Sequence, residues 1–262
     1  MDLGLGGKSV LIIGGARGIG YAAAQEVAAA GGCIALADID GDAAGEAASR
    51  LAAATGARVV GIRMDVTAPD EIAAGLETIS AEFGGIDGLV ISAAVLDDKL
   101  FLESGPTDWQ RMIDVCLYGP LNVLHAVLPK MIEAGSGHVV CMATDAARVG
   151  QARLSYYAAA KAGVIALVKS IAQEVGRHGI TLNVVSPGAT NTELRQEREE
   201  GMRAQMGDEA YQKRVQKVER MYPLRRIGEP QDHAGIIALL LSDRASWLTG
   251  QVISINGGFV MP

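Results

Sequence analysis

Tyr157-Ala158-Ala159-Ala160-Lys161 sets a phenol and an ammonium four residues apart, which on a helix means one face and adjacent turns. Proton transfer to or from an oxygen is the chemistry open to such a pair. A free phenol ionises near pH 10, so acting as a base near neutrality asks for roughly 4 kcal/mol of added preference for the phenolate. A neighbouring ammonium supplies part of that preference. The same spacing also fits an amphipathic helix that carries one Tyr and one Lys and no chemistry, so the pair needs company.

Company lies upstream in Gly14-Gly15-Ala16-Arg17-Gly18-Ile19-Gly20, which follows an apolar run and precedes an Ala-rich stretch. A glycine turn between a strand and a helix lets backbone approach the pyrophosphate of a dinucleotide at the free amides of the helix N-terminus. The spacing Gly14-x3-Gly18-x-Gly20 is one residue longer than G-x-G-x-x-G, and in a chain with 33 glycines the motif is weak by itself. Eighteen residues after Gly20, Asp38 ends the next apolar run. A carboxylate there accepts from both hydroxyls of an adenosine ribose and repels a 2'-phosphate, which favours NAD over NADP. Arg17 pulls the other way, as a partner for a 2'-phosphate, or is a solvated loop residue. In Met64-Asp65-Val66, Asp65 is placed to accept from the adenine amino group, or else caps a helix.

These groups need elements to hold them. Short runs rich in Val, Ile and Leu alternate with longer Ala-rich stretches and predict seven strands: 9–13, 33–37, 58–62, 88–91, 138–142, 180–185 and 251–255. Their near-continuous apolar character predicts burial on both faces, as in a doubly wound, seven-stranded parallel α/β sheet of Rossmann type flanked by helices. Thr107 with Gln110 reads as a capping box, and Thr67 before Pro69 and Asp70 reads as another helix start. Residues 189–226 break the rhythm with a charged, helically spaced insertion, the kind that covers an active site.

Composition narrows the function classes. At 262 residues with 49% hydrophobic side chains the chain can close one large core, so residues 1–262 are expected to form a single domain. The N-terminus lacks a basic segment followed by a long apolar one, and Val10-Leu11-Ile12-Ile13 is too short to span a bilayer, so no membrane association is expected. Three distant cysteines, Cys33, Cys116 and Cys141, suggest neither a disulfide framework nor a metal site and fit a cytoplasmic protein. A net charge of −7 speaks against nucleic acid as a partner.

In this order and at these distances, the glycine loop, Asp38 and the Tyr157/Lys161 pair resemble the short-chain dehydrogenase/reductase family over essentially the whole chain, Lys8 to about Gly258. The resemblance implies that Tyr157 exchanges a proton with the substrate oxygen, while Lys161 binds the nicotinamide ribose and, with the nicotinium charge, lowers the tyrosine pKa. It places Thr144, where the family usually has Ser, as the hydroxyl that holds the substrate carbonyl. Asn183 to Thr192 resembles the family's Asn-x3-Pro-Gly segment, which puts Pro187, Gly188, Thr190 and Thr192 at the cofactor, alongside Gly14, Arg17, Gly18, Ile19, Gly20, Asp38, Asp65 and Val66. Two departures stand out. Ile91-Ser92-Ala93-Ala94 replaces Asn-Asn-Ala-Gly, leaving Ala93 at the cofactor. Cys116 takes the place of the active-site Asn, which implies an attenuated or re-routed proton relay, because a thiol is a weak hydrogen-bonding substitute.

The substrate is approached through charge. Residues 189–226 carry nine basic and seven acidic side chains in a chain that is net negative, which hints at an anionic substrate or is a solvated mixed face. Arg148, Arg153 and Arg195, with Arg198 beside it, are the candidate anion partners. Ala143 to Gly150, with Arg177 to Ile180 and Asn183 to Val185, is similar to the family branch that oxidises alicyclic hydroxyacyl-CoA thioesters and to 3-oxoacyl carrier-protein reductases. The expected activity is therefore NAD-dependent hydride transfer to or from a secondary alcohol, ketone or acyl-CoA thioester. The alternative is a cofactor-binding sensor or scaffold without catalysis. The resemblance also implies a homotetramer or homodimer, and the apolar segment 257–262 is a candidate for packing across such an interface.

Overall fold

A computed structural model describes residues 2–261. Seven strands, β1 Ser9–Ile13, β2 Cys33–Asp38, β3 Val59–Arg63, β4 Gly88–Ile91, β5 Gly137–Met142, β6 Ile180–Pro187 and β7 Val252–Ile255, form one sheet in the order β3-β2-β1-β4-β5-β6-β7. Every pairing is parallel. The helices are α1 Gly18–Ala29, α2 Gly41–Thr55, α3 Pro69–Phe83, α4 Pro106–Ile113, α5 Gly119–Ala134, α6 Ala146–Val149, α7 Ser155–Val175, α8 Glu193–Met206, α9 Asp208–Met221 and α10 Pro230–Leu240.

Side chains alternate across the strands and so feed two cores. Leu11, Ile13, Ala35 and Ala37 face Ile72 of α3, Val123 of α5 and Val164 of α7. Val10, Ile12, Ile34 and Leu36 face Val27 of α1, Leu51 of α2 and Ile237 of α10. With both faces covered, the strands need no polar alternation, which is the physical origin of the apolar runs. The strand limits move slightly from the expected ones: β2 runs on to Asp38, β3 starts one residue later, and β6 continues to Pro187.

The order reverses between β1 and β4, so the strand ends at Ile13 and Ile91 open a crevice where the chain leaves in opposite directions. Backbone fixes the residues there. Gly14 sits at φ +72°, and a Cβ on it would lie 2.6 Å from the Ala93 nitrogen. A Cβ on Gly20 would lie 2.2 Å from the Gly14 carbonyl oxygen. The glycines are therefore required by close packing of the loop on itself and on the strand beside it.

The expected helix start at Pro69 and Asp70 is found, whereas the Thr107/Gln110 capping box is not. Gly105 caps α4, with the Asp108 carboxylate accepting from its amide at 3.1 Å, and Gln110 instead donates to Asp114. The N-cap of α3 is Ala68, with Pro69 in the first turn. Carboxylates near these starts compete better for free amides than the threonine hydroxyls do. Between α4 and α5 the helix takes one π turn, Asp114–Tyr118, and continues. The whole stretch, Pro106–Ala134, is long and apolar enough to cross a membrane by composition, but Val123, Leu124, Val127 and Met131 are buried against the sheet. At the other end of the chain, Phe259 stacks on Tyr222 with centroids 5.0 Å apart. Of the 257–262 segment, Pro262 lies outside the described residues.

Candidate active site

A cleft of about 710 Å³ opens over the C-terminal ends of the strands, beneath α8 and α9. Its floor holds Gly14, Arg17, Gly18, Ile19, Asp38, Asp65, Val66 and Ala93, and its far wall holds Thr144, Tyr157, Lys161, Pro187, Gly188, Thr190 and Thr192. The fold thus brings together groups up to about 180 residues apart in sequence. Gly20 is buried beneath the loop, where it lets α1 start.

Tyr157 and Lys161 lie on α7, whose N-cap is Leu154. Lys161 is 1% exposed and donates from Nζ to the Met142 carbonyl at 2.9 Å. Thr144 follows β5; its Oγ1 accepts from the Ala146 amide at 3.3 Å, so the hydroxyl hydrogen remains free to donate into the cleft. Burial, with a smaller contribution from the Cys116 thiol, pushes the Tyr157 phenol above its ordinary range. Lys161 is turned to Met142, and desolvation of the phenolate is the larger effect.

Cys116 is placed differently from the expectation of a relay group. It sits in the π turn, is fully buried, and is absent from the cleft wall. Its thiol donates to the Val95 carbonyl at 3.6 Å and lies 3.7 Å from the Met112 sulfur, in a cluster with Tyr156 and Ala160 that Tyr157 packs against. Ile91 is likewise a core residue of β4 rather than a site residue.

On the cofactor side, Asp38 ends β2 and accepts from the Ala16 and Asp40 amides at 3.4 and 3.3 Å. Asp65 lines the cleft and accepts from the Thr67 amide and hydroxyl, each at 2.8 Å, ahead of the Ala68 N-cap, so it does not itself cap α3. Arg17 turns away from Asp38 and pairs with Glu197 of α8 at 2.5 Å, which ties the glycine loop to the insertion. Thr192 caps α8 through the Arg195 amide. The Thr190 hydroxyl is committed elsewhere: it donates to the Gly188 carbonyl at 3.2 Å and lies 2.9 Å from His233 Nε2.

Two of the three substrate arginines are not at the cleft. Arg148 donates to Ser254 of β7 at 2.6 Å, because α6 turns it across the sheet edge. Arg153, at φ +70°, pairs with Asp98 through its side chain and donates to the Asp98 carbonyl at 2.8 Å. Arg195 does line the cleft. Spacing alone missed Asp145, 2% exposed, which accepts from Ser186 at 2.8 Å and Ser254 at 3.1 Å and from Asn256. It anchors the loop that carries Thr144. A lone Asp beside an active-site hydroxyl has no sequence signature, since its donors come from β6 and the chain end.

A dinucleotide fits these residues: side chains on Gly14 and Gly20 are sterically forbidden, and a carboxylate closes the far end. Residues 14–260 match the family model described as enoyl-(acyl carrier protein) reductase. The chain is 33% identical to the 3-oxoacyl-(acyl-carrier-protein) reductase of Aquifex aeolicus over 258 residues, covering 98% of this chain and 99% of that one. It superposes on levodione reductase with a TM-score of 0.90 at 31% identity, covering 97% and 98% of the two chains. A short-chain type dehydrogenase/reductase from Mycobacterium marinum gives the same TM-score and identity over 100% of this chain and 99% of that one.

Proposed function

This chain belongs to the short-chain dehydrogenase/reductase family and is a nicotinamide-dependent oxidoreductase of the CH–OH/carbonyl couple, and we propose that it uses NAD and acts on a β-keto or β-hydroxyacyl compound. The observation that carries this reading is the presence of Thr144, Tyr157 and Lys161 on one wall of a cleft whose floor is the glycine loop and Asp38. The acyl class is taken from the relative in Aquifex aeolicus, which is named for a 3-oxoacyl substrate.

When bound, the nicotinamide gives or takes the hydride. The chain's residues do the rest. Gly14, Gly18, Ile19 and Gly20 let the backbone reach the pyrophosphate, Asp38 accepts from the ribose hydroxyls and repels a 2'-phosphate, and Asp65, Val66 and Ala93 line the adenine and ribose path. Lys161, held by Met142, keeps two further N–H donors for the second ribose. Thr144 donates to the substrate oxygen. The raised phenol pKa keeps Tyr157 protonated at neutral pH, ready to give its proton to a carbonyl oxygen as hydride arrives. Residues 189–226 are assigned to a lid over the substrate.

The test is a spectrophotometric assay of the full chain with NADH and NADPH against acetoacetyl-CoA and simple ketones. Turnover favouring NADH is expected. Binding of NADH with no turnover anywhere in the panel would favour the sensor or scaffold reading instead.

A further inference from the structure

The lid holds an arrangement of charge that cofactor binding and proton transfer leave unused. On α8, Arg195, Arg198 and Glu199 share one face, three and four residues apart. Glu199 is 6% exposed and receives Arg195 at 3.0 Å and Arg198 at 3.4 Å on one oxygen, and Arg214 from α9 at 2.7 Å on the other. All three arginines line the cleft, whereas Glu199 does not. The carboxylate therefore stands behind and the guanidinium groups stand in front.

The charges around this group do not cancel. Asp98 lies 3.5 Å from Arg198 Nε and is shared with Arg153, which also approaches Glu103 at 4.0 Å. Asp97, across the cleft, receives the Tyr156 hydroxyl at 3.1 Å. Three guanidinium groups with one dedicated carboxylate leave a positive excess where water is partly excluded, which is unfavourable unless an anion completes the set. Burial also depresses the pKa of Arg195. A second observation is geometric: Arg198 Nε is buried, and its ion-pair neighbour Asp98 Oδ2, at 3.5 Å, is not placed to accept a hydrogen bond from it. Buried donors of this kind are rare in folded proteins and point to a partner that arrives with the ligand.

We propose that Arg195, Arg198 and Arg214 form an oxyanion-binding site in the lid for a carboxylate or phosphate group carried by the substrate, with Glu199 holding the three guanidinium groups in position from behind. Planar guanidinium forks match such oxyanions bidentately. The proposal deepens the oxidoreductase reading and rests on it for the location of the substrate.

Four compounds with the same 3-keto group test it. Acetoacetate and its methyl ester differ by a carboxylate; the acetoacetyl thioesters of 4'-phosphopantetheine and of pantetheine differ by one phosphate. Each is titrated calorimetrically into the full chain with and without NAD, a condition in which a ketone is not reduced. The anionic member of at least one pair is expected to bind ten-fold or more tightly than its neutral partner, and which pair responds identifies the source of the oxyanion. Arg198→Met should remove the preference, Arg198→Lys should restore part of it, and Tyr157→Phe should leave it in place. Melting temperatures confirm that each variant is folded, and Arg214→Met serves where Arg198→Met is not. Equal or absent binding within both pairs, or a preference that survives Arg198→Met and Arg214→Met, overturns the proposal. A preference for the anion without reduction of any of the four by NADH supports the site and overturns the β-ketoacyl reading.

Discussion

The two ends of the cleft are built from different materials. The cofactor end is mostly backbone: strand termini, Gly14 and Gly20 packed where no side chain fits, and two carboxylates, Asp38 and Asp65. The lid end is long charged side chains on α8 and α9, whose mean composition is polar and whose arginines are gathered on Glu199. A backbone site is fixed once the sheet forms and admits one ligand shape. A site of flexible arginines on an inserted pair of helices is adjustable by substitution without disturbing the sheet. On the proposed reading, the molecule separates what is common to a dinucleotide fold from what selects a substrate. Between the two ends stand Tyr157 and Thr144, on elements that belong to the sheet.

The largest effect should come from the boundary itself. Tyr157→Phe removes the proton donor and is expected to lower turnover about 10³-fold while NADH affinity, followed by fluorescence, changes less than threefold. A matching loss of affinity would mean that the two ends are not separable.

The joint between them offers a pH test. His233 on α10 is 1% exposed; its Nε2 faces the Thr190 hydroxyl and its Nδ1 has no partner. Because Thr190 donates to Gly188, Nε2 carries the hydrogen, and protonating Nδ1 would bury an unpaired charge. Desolvation accordingly lowers the His233 pKa to about 4. In the unfolded chain an ordinary histidine takes its proton near pH 6.5. Stability should therefore be intact above pH 6.5 and fall by roughly 3 kcal/mol as the pH drops toward 4, where only the unfolded state is protonated. Urea denaturation across that range should show the decline, and His233→Gln should flatten it.

At the backbone end, Gly20→Ala places a methyl 2.2 Å from the Gly14 oxygen. The loop must shift, and NADH affinity is expected to fall about 100-fold, the equivalent of roughly 2.7 kcal/mol. An unchanged affinity would show that the loop is as adjustable as the lid. The smallest effect belongs to a single side chain at that end. Asp38→Ala should reduce the ratio of kcat/KM for NAD over NADP about tenfold, since it removes a charge-assisted acceptor and a repulsion but no backbone contact.

Much of this was readable before any coordinates. The apolar runs foretold seven parallel strands because burial on both faces leaves no polar alternation, and the glycine loop could be read because its spacing reflects sterics that act within seven residues. Cys116 and the arginines were harder. Cys116 occupies the expected position in the chain, but the π turn at Asp114–Tyr118 and the packing of Met112 and Tyr156 decide that its thiol points into the core. Arg148 and Arg153 lie close to Thr144 and Tyr157 in sequence, yet Ser254 and Asp98 claim them. Asp98 and Glu199 also decide which arginines gather at the cleft, and no local pattern announces either.

The sequence by itself determined the α/β architecture, the dinucleotide loop and the alignment of Tyr157 with Lys161, because each rests on periodicity or on contacts between residues near in the chain. The tertiary structure alone decided which charges face the cleft and where the Cys116 thiol goes. Those outcomes depend on desolvation and on partners supplied by distant segments, and neither quantity exists until the sheet has closed.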